Sequence, residues 1–319
     1  MTGPHARRQA ATHASRTIEL DTPFDLGATM RLLVRGAADP TARLSRDRFL
    51  WATRTSAGPA ALRVDLESGG RHVRAEAWGP GADRVLESLP RLLGFDDDRS
   101  SFDPTLHRLV AELDRRLKGM RIGATGAVVE SLVPAILEQK VTGTEAVRAI
   151  RGLIARYGEP APGPLGLRLP PAPAVLAALP YYAYHPFGVE QRRADTIRRV
   201  AAMAANLERL ADAPLDEAYR RMTAIPGIGP WTAAEVATRA LGDADGVSVG
   251  DCHLPNLVAW ALAGEPRADD ARMLELLEPW RPVDGRPGQR GRVIRLLKAS
   301  GLSAPRRGPR LAPRSIARI

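Results

Sequence analysis

The stretch that decides the fold is Ile225-Pro226-Gly227-Ile228-Gly229-Pro230-Trp231-Thr232-Ala233, which lies between two runs with helical apolar spacing. Two glycines around one aliphatic residue are typical of a hairpin between helices, because glycine adopts positive φ without strain. The first N–H groups of the second helix have no partner within that helix and point to whatever lies above the hairpin. A phosphate group fits there, although a plain helix–helix turn is the commoner explanation of an isolated Gly-x-Gly.

An acidic residue follows the hairpin in Val249-Gly250-Asp251-Cys252-His253, immediately before the next apolar run. Taken alone, Asp251 is expected to be the N-cap of that helix, accepting backbone N–H bonds. A carboxylate at a helix start also faces outward, so capping does not exclude chemistry. Beside an extruded nucleotide it would stabilise an oxocarbenium-like sugar and direct water to the anomeric carbon, as carboxylates do in glycoside hydrolysis.

Positive charge is concentrated in the two ends of the chain. The formal net charge is +10 over 319 residues, and residues 1–16 and 301–319 contribute eight of those charges as arginines without any acid. We therefore expect flexible basic tails at 1–16 and 301–319, which would add salt-sensitive, sequence-independent attraction to a polyanion or simply be solvated.

The composition excludes several classes of protein. A single cysteine rules out an intrachain disulfide and any four-thiolate iron–sulfur or zinc site. No run of ~18 apolar residues is present, and the N-terminal segment lacks the apolar core of a secretory signal. We expect a monomer in the cytoplasm, associated with the nucleoid, with no membrane partner, no metal and no cofactor.

The chain divides into two regions of different pattern. Residues 17–105 predict a small α+β domain with an antiparallel sheet, because short β-branched segments alternate with Gly, Pro and Asp. Residues 106–300 predict an all-helical domain, so the fold class is mainly α. The predicted strands are residues 16–20, 49–53, 62–66 and 72–78. The predicted helices of the second region cover residues 106–117, 128–140, 142–157, 174–179, 192–210, 215–222, 231–241, 254–263, 271–277 and 291–299.

The hairpin, the aspartate and a third segment together carry a family resemblance. The third segment is Ala135-Ile136-Leu137-Glu138-Gln139-Lys140-Val141, at the end of a nearly continuous apolar helix. This combination resembles the helix-hairpin-helix DNA glycosylase superfamily, and within it the bacterial 3-methyladenine DNA glycosylase II branch. The resemblance implies that the chain flips a damaged base out of double-stranded DNA and hydrolyses its N-glycosidic bond, with Asp251 as the catalytic carboxylate.

The resemblance also implies the surroundings of the base. A tryptophan at the position of Trp231 borders the base pocket in this branch, and an indole suits a cationic alkylated purine. Trp280 is expected to form a second wall by its position. One helical turn after Trp231, where the branch tends to have an aromatic residue, this sequence has Glu235. That carboxylate would either attract a cationic base or be solvated.

A further set of residues is expected to contact DNA. The hairpin backbone would bind a phosphate, and the end of the preceding apolar helix would enter the duplex. Lys140 stands where the family has an intercalating side chain, and it is not an apolar wedge. The expected DNA-binding residues are Gly227, Ile228, Gly229, Thr232, Gln139 and Lys140.

Bifunctional members of the superfamily carry a lysine nucleophile just after the hairpin glycines, where this sequence has Trp231. Without that amine no Schiff base forms, so the resemblance implies a monofunctional enzyme without lyase activity. Two other functions stay open: a glycosylase for deaminated or mismatched bases, and a non-catalytic hairpin protein that binds DNA. Asp251 favours an enzyme over a mere binder, since binding does not need it.

Overall fold

The N-terminal part of the molecule is built on one antiparallel sheet. The computed structural model describes residues 12–67, 70–283 and 285–305. The five strands are β1 (His13–Glu19), β2 (Ala42–Leu44), β3 (Arg48–Thr55), β4 (Gly58–Leu66) and β5 (His72–Trp78), in the spatial order β1-β5-β4-β3-β2. Alternate residues such as Leu62, Val64 and Val73 are buried, which is the period-2 pattern of a sheet with one covered face.

Three helices cover that sheet: α1 (Leu26–Met30), α2 (Ala82–Glu87) and α3 (Leu89–Leu92). Their buried side chains, among them Leu26, Met30 and Leu89, form one hydrophobic core with the sheet. The predicted strands coincide with parts of β1, β3, β4 and β5, apart from Leu20, which lies one residue beyond β1, and the α+β class of this region is confirmed. Strand β2 was not predicted, because three residues are too few for a period to show.

The ends of the chain differ in part from the expected tails. Strand β1 begins at His13 and pairs with β5, so residues 13–16 are sheet and not a flexible tail. The Arg16 guanidinium donates to the Leu86 carbonyl at 2.9 Å. The tail predictions for residues 1–11 and 306–319 lie outside the described residues.

The remainder of the described chain is helical. The helices are α4 (Arg108–Arg116), α5 (Val128–Leu137), α6 (Gly143–Tyr157), α7 (Pro173–Ala178), α8 (Gln191–Ala202), α9 (Ala204–Glu208), α10 (Leu215–Thr223), α11 (Pro230–Val236), α12 (Leu254–Ala263), α13 (Asp270–Leu277) and α14 (Arg290–Ala299). The predicted helix over residues 192–210 is interrupted at Met203, which caps α8. The predicted helix over 231–241 ends as a π-helical segment, Ala237–Leu241.

These helices pack around two separate hydrophobic cores. The first contains α5, α6, α8, α10 and α11, with Leu132, Ile136 and Ile197 at 0% exposure. The second contains α4, α12, α13 and α14. The linker between α11 and α12, residues 242–253, therefore runs from one core to the other. The aspartate singled out in the sequence lies on that linker.

The first turn of α5 is hydrogen-bonded both to α9 and to strand β3. The Glu208 carboxylate accepts from the backbone N–H groups of Val128 and Val129 at 2.9 and 3.0 Å, which caps the helix. In the first turn, Glu130 accepts from the Thr53 hydroxyl and the Arg54 backbone N–H at 2.8 and 2.7 Å. This second pair of bonds ties α5 to strand β3.

Candidate active site

The hairpin connects α10 to α11 and is anchored by its two isoleucines. Ile225 and Ile228 are each 4% exposed and belong to the first helical core. Gly227 has φ +98°, and a Cβ there would lie 2.3 Å from the Thr196 hydroxyl oxygen, so a side chain is excluded by both conformation and space. The Ile228 side chain therefore lies in the core, and only the Ile228 backbone belongs to the hairpin.

Gly229 differs from Gly227. Its φ is −97°, an extended conformation open to any residue, and an added Cβ would meet no atom within 4 Å. In the part of the chain that the structure describes, the backbone N–H groups of Gly227, Gly229, Trp231 and Thr232 make no hydrogen bond. The outer face of the hairpin is therefore open and lined with donors, which suits an anion.

The end of α5 is bonded to the hairpin. The Gln139 side-chain amide donates to the Gly227 carbonyl at 3.0 Å and to the Thr232 hydroxyl at 2.8 Å. Thr232 is 2% exposed, so its side chain braces the hairpin from inside and is not available to DNA. The DNA contact predicted for Thr232 therefore falls to its backbone N–H, and the Gln139 amide has a partner within the protein.

Lys140 follows immediately and is exposed. Its φ of +54° is the one positive value at a non-glycine residue in the described chain. A side chain with Cβ pays strain in this left-handed region, and such strain is often found at functional positions. The backbone turns here, and the lysine is presented at the tip between α5 and α6.

Asp251 meets Trp231 across the linker. Its Oδ1 accepts from the backbone N–H groups of His253 and Leu254 at 2.7 and 2.9 Å, and its Oδ2 accepts from the Trp231 indole Nε1 at 3.2 Å. The N-cap of α12 is His253, so Asp251 lies two residues before the position expected for it. Three donors from two elements thus fix one carboxylate beside a half-buried indole.

Glu235 lies one turn after Trp231 and is 8% exposed. Its Oε1 accepts from the Ser248 hydroxyl at 2.5 Å, and its Oε2 pairs with Arg239. Burial would raise the pKa of Glu235, but Arg239, Lys298 and the Ser248 hydrogen bond lower that pKa to about 2. The carboxylate is buried and not solvated, which corrects one of the two expectations, while attraction of a cationic base by Glu235 stays a prediction. The Glu235 side chain joins α11 to the linker.

Trp280 is a core residue. It is 4% exposed within the second helical core, and its indole Nε1 donates to the Asp103 carbonyl at 2.8 Å. A ring enclosed in this way does not offer a face to a base, which corrects its assignment as a pocket wall. The sequence around it gave no sign of this, because a buried and a base-stacking tryptophan look alike in a sequence.

Sequence reasoning missed the basic side chain closest to the hairpin. Arg199 on α8 is exposed, and its guanidinium donates to the Pro226 carbonyl at 2.8 Å. It follows Arg192 and Thr196 at helical spacing, so all three lie on the face of α8 that meets the hairpin. That i, i+4, i+7 spacing was visible in the sequence, but the partner of the face was not.

Comparisons with known proteins bear on this arrangement. No family model matches the chain. A "Probable bifunctional transcriptional activator/DNA repair enzyme AlkA" from Mycobacterium tuberculosis is 31% identical over 172 residues, which are 51% of this chain and 34% of that protein. The "DNA-3-methyladenine glycosylase 2" of Escherichia coli is 27% identical over 224 residues, covering 69% of this chain and 73% of that protein.

A solved structure has the same fold over nearly the whole length. The 3-methyladenine DNA-glycosylase from Archaeoglobus fulgidus superposes with a TM-score of 0.73 at 21% identity, covering 89% of this chain and 97% of that one. Together these relatives and this shared fold support the helix-hairpin-helix DNA glycosylase superfamily and its AlkA-like bacterial branch, in agreement with the resemblance inferred from the hairpin and the aspartate. The chain spans about a third of the length of the M. tuberculosis relative it matches.

Two features of the described residues complete the picture. No three His, Cys, Asp or Glu side chains in residues 12–67, 70–283 and 285–305 lie together as a metal site would need. Within the same ranges, no helix is both long enough and apolar enough to cross a bilayer.

Proposed function

We propose that this superfamily member hydrolyses the N-glycosidic bond of alkylated purines in double-stranded DNA and leaves an abasic site for base excision repair. The observation that carries the proposal is the contact between Asp251 and Trp231 directly behind the hairpin. A carboxylate and an aromatic ring within hydrogen-bond distance are what excision of a flipped base requires, one for the sugar and one for the base.

In this mechanism Asp251 acts on the sugar. Its Oδ1 is occupied by the backbone N–H groups of His253 and Leu254, so the side chain cannot rotate away. Its Oδ2, which accepts from one indole N–H, has a second lone pair for the substrate side. As the bond to the base breaks, this negative charge stabilises the oxocarbenium-like sugar, and the same oxygen orients the attacking water.

The hairpin and the end of α5 would hold the distorted duplex. The unpaired N–H groups around Gly229 bind a phosphate, and Arg199 adds positive charge next to them. Gln139 is hydrogen-bonded to the hairpin, and the next residue, Lys140, projects into the gap left by the base. Trp231 borders the base itself, with its indole face towards the purine.

We further propose that the enzyme has no lyase activity, because Trp231 occupies the position of the lysine nucleophile. Lys298 is the one lysine whose charge acts on Glu235, one turn from Trp231. Borohydride should therefore trap no covalent protein–DNA adduct. A trapped adduct that disappears in Lys298→Ala would identify that amine as a nucleophile and overturn this part of the proposal.

A second candidate is the excision of neutral, deaminated bases. It is favoured by the state of Glu235, whose carboxylate is already paired with Arg239 and does not offer its charge to a cationic base. The cation-attracting group nearest to Trp231 is then Asp251 alone. The two candidates differ in whether positive charge on the base is needed.

The test is a panel of duplexes that each carry one modified base, followed by alkali cleavage at the abasic product. We expect release of 3-methyladenine and 7-methylguanine, and excision by Asp251→Asn that is slower by roughly 10²–10³. Excision of hypoxanthine without excision of methylated purines would favour the second candidate. Binding without any excision across the panel would refute the enzyme proposal.

A further inference from the structure

A second basic surface lies along α6. An open groove of about 760 Å³ runs between α6 and the loop at residues 38–40, and Arg148 and Arg151 are among the residues that line it. Both arginines are exposed, and neither makes a hydrogen bond or an ion pair with the described residues. Many arginines of the described chain form ion pairs with acidic side chains, whereas these two guanidinium groups have no such partner and share one groove.

The groove carries no opposing charge. The residues that line it on α6 are Gly143, Thr144, Val147, Arg148, Arg151, Gly152 and Ala155, and none is acidic. The loop contributes Ala38 and Pro40. Between them Asp39 is 6% exposed and turned inward, where it accepts from the Arg35 and Thr41 backbone N–H groups at 2.8 Å each. The residues that line the groove therefore carry positive charge and no negative charge.

The groove is continuous in sequence with the residues that would enter DNA. Lys140 is three residues before the start of α6, and a capping box at Thr142 and Glu145 fixes that start. At 1.5 Å of rise per residue, Arg148 and Arg151 lie roughly 8 and 12 Å along α6 from its first residue. Arg148 and Arg151 are three residues apart, about 4.5 Å along the axis, and therefore lie on the same face of α6.

We propose that this groove binds the phosphodiester backbone of the duplex beyond the site where the base is extruded. Arg148 and Arg151 each pair with one phosphate, and the small residues Gly143, Gly152 and Ala155 let the strand approach the helix. The loop at residues 38–40 brings the N-terminal domain to the same strand. The inference rests on the proposed function for its partner, DNA, but it concerns binding and not the chemical step.

The consequence is a DNA interface on three segments: the hairpin, the tip at Lys140 and the α6 groove. Such an interface holds the duplex on both sides of the tip. Inserting a side chain into a duplex bends it, and contacts on both flanks stabilise the bent form. The groove then contributes affinity that depends on the length of the duplex on its side.

The test is the salt dependence of binding to a labelled duplex that contains a stable abasic-site analogue. For each phosphate contact removed, the slope of log K against log salt concentration falls by ~0.9. Arg148→Ala/Arg151→Ala should therefore reduce the slope by about 1.8. The matched control is Arg115→Ala/Arg116→Ala on α4, which removes two exposed, unpaired arginines from a helix of the other core. We expect the control to leave the slope unchanged.

A second arm shortens the duplex on one side at a time. Truncation on the side that faces α6 should abolish the difference between the double variant and the wild type, while truncation on the other side should preserve it. A double variant with the same slope as its control would overturn the proposal. If Arg148 and Arg151 contribute to the salt slope of the wild-type protein but the protein excises no base, the glycosylase proposal is refuted and the groove proposal is supported.

Discussion

The hydrogen bond between Trp231 and Asp251 makes a sharp prediction about the substitution Asp251→Asn. An amide oxygen still accepts from His253 and Leu254, so the cap on α12 survives. The amide nitrogen, however, turns a donor towards the indole N–H, and the two donors repel. A hydrogen bond to a charged acceptor contributes about 1.5–3 kcal/mol, and because Trp231 is half-buried we expect a loss near the lower end.

Trp231→Phe removes the indole N–H but keeps an aromatic ring, so it removes the donor that the amide opposes. In a double-mutant cycle the two substitutions should therefore be coupled by about 1 kcal/mol, with Asp251→Asn costing less in the Phe background. The measurement is urea unfolding of the four proteins. Asp269→Asn is the control, because Asp269 caps α13 through Arg272 N–H at 2.9 Å and is not bonded to a tryptophan.

Activity separates the chemical role from the structural one. If the Asp251 charge stabilises the cationic transition state, single-turnover excision by Asp251→Asn should fall by roughly 10²–10³, which corresponds to about 2.7–4 kcal/mol. Asp269→Asn should excise at the wild-type rate. Stability effects of Asp251→Asn and Trp231→Phe that add within about 0.3 kcal/mol, or a near-normal excision rate for Asp251→Asn, would refute this reasoning.

Three further predictions concern other parts of the site and the fold. Lys140→Gly should relieve the strain of φ +54° and therefore not lower the melting temperature. Lys140→Ala and Lys140→Gly should both slow excision more from a paired than from a mismatched duplex, since unstacking a paired base costs a few kcal/mol more. Equal losses on both substrates would reject the insertion role. Gly227→Ala should destabilise the protein by roughly 1–3 kcal/mol, whereas Gly229→Ala should change stability by less than about 0.5 kcal/mol. Gly229→Ala should nevertheless weaken DNA binding. Normal DNA affinity of Gly229→Ala would show that no phosphate approaches Gly229. Burial raises the pKa of Glu130 to about 7, so the folded state binds this proton more tightly than the unfolded state, and stability should fall by at most about 3 kcal/mol as pH rises from about 4.5 to 7. In Glu130→Gln the amide oxygen still accepts from the Arg54 N–H and the amide nitrogen donates to the Thr53 hydroxyl oxygen, so this variant should flatten that part of the stability profile, and an unchanged profile would contradict the assignment.

The sequence predicted most of the fold because its signals are local. Helix α12 was predicted at its observed bounds, and α6 within one residue, since apolar spacing and the Thr142 cap are read within a few positions. The break at Met203 was missed because the stretch from 192 to 210 keeps its apolar period through the interruption. The hairpin was predicted from its glycines. A Cβ at Gly227 would collide with the buried side chain of Thr196, so glycine is required at position 227.

The site was predicted less completely, because its side chains meet across long sequence separations. Asp251 and Trp231 were expected from a family resemblance, and their direct contact across 20 positions was not foreseen. Glu235 and Trp280 were assigned to the base pocket by position alone. The pairing of Glu235 with Arg239 has the local i,i+4 spacing of a helical ion pair, but the contacts with Ser248 and with the Asp103 carbonyl follow from the packing of distant segments, which no local pattern encodes.

The bonds from Gln139 to the hairpin have a consequence for how this site can change over evolutionary time. Gln139 fixes the end of α5 against the hairpin, so if Lys140 enters the duplex as proposed, a substitution at position 140 alters which side chain enters without altering where it enters. The length, charge and shape of the side chain at position 140 can thus change by single mutations, while Asp251 keeps its position. Diversification of lesion preference therefore needs no rebuilding of the chemistry.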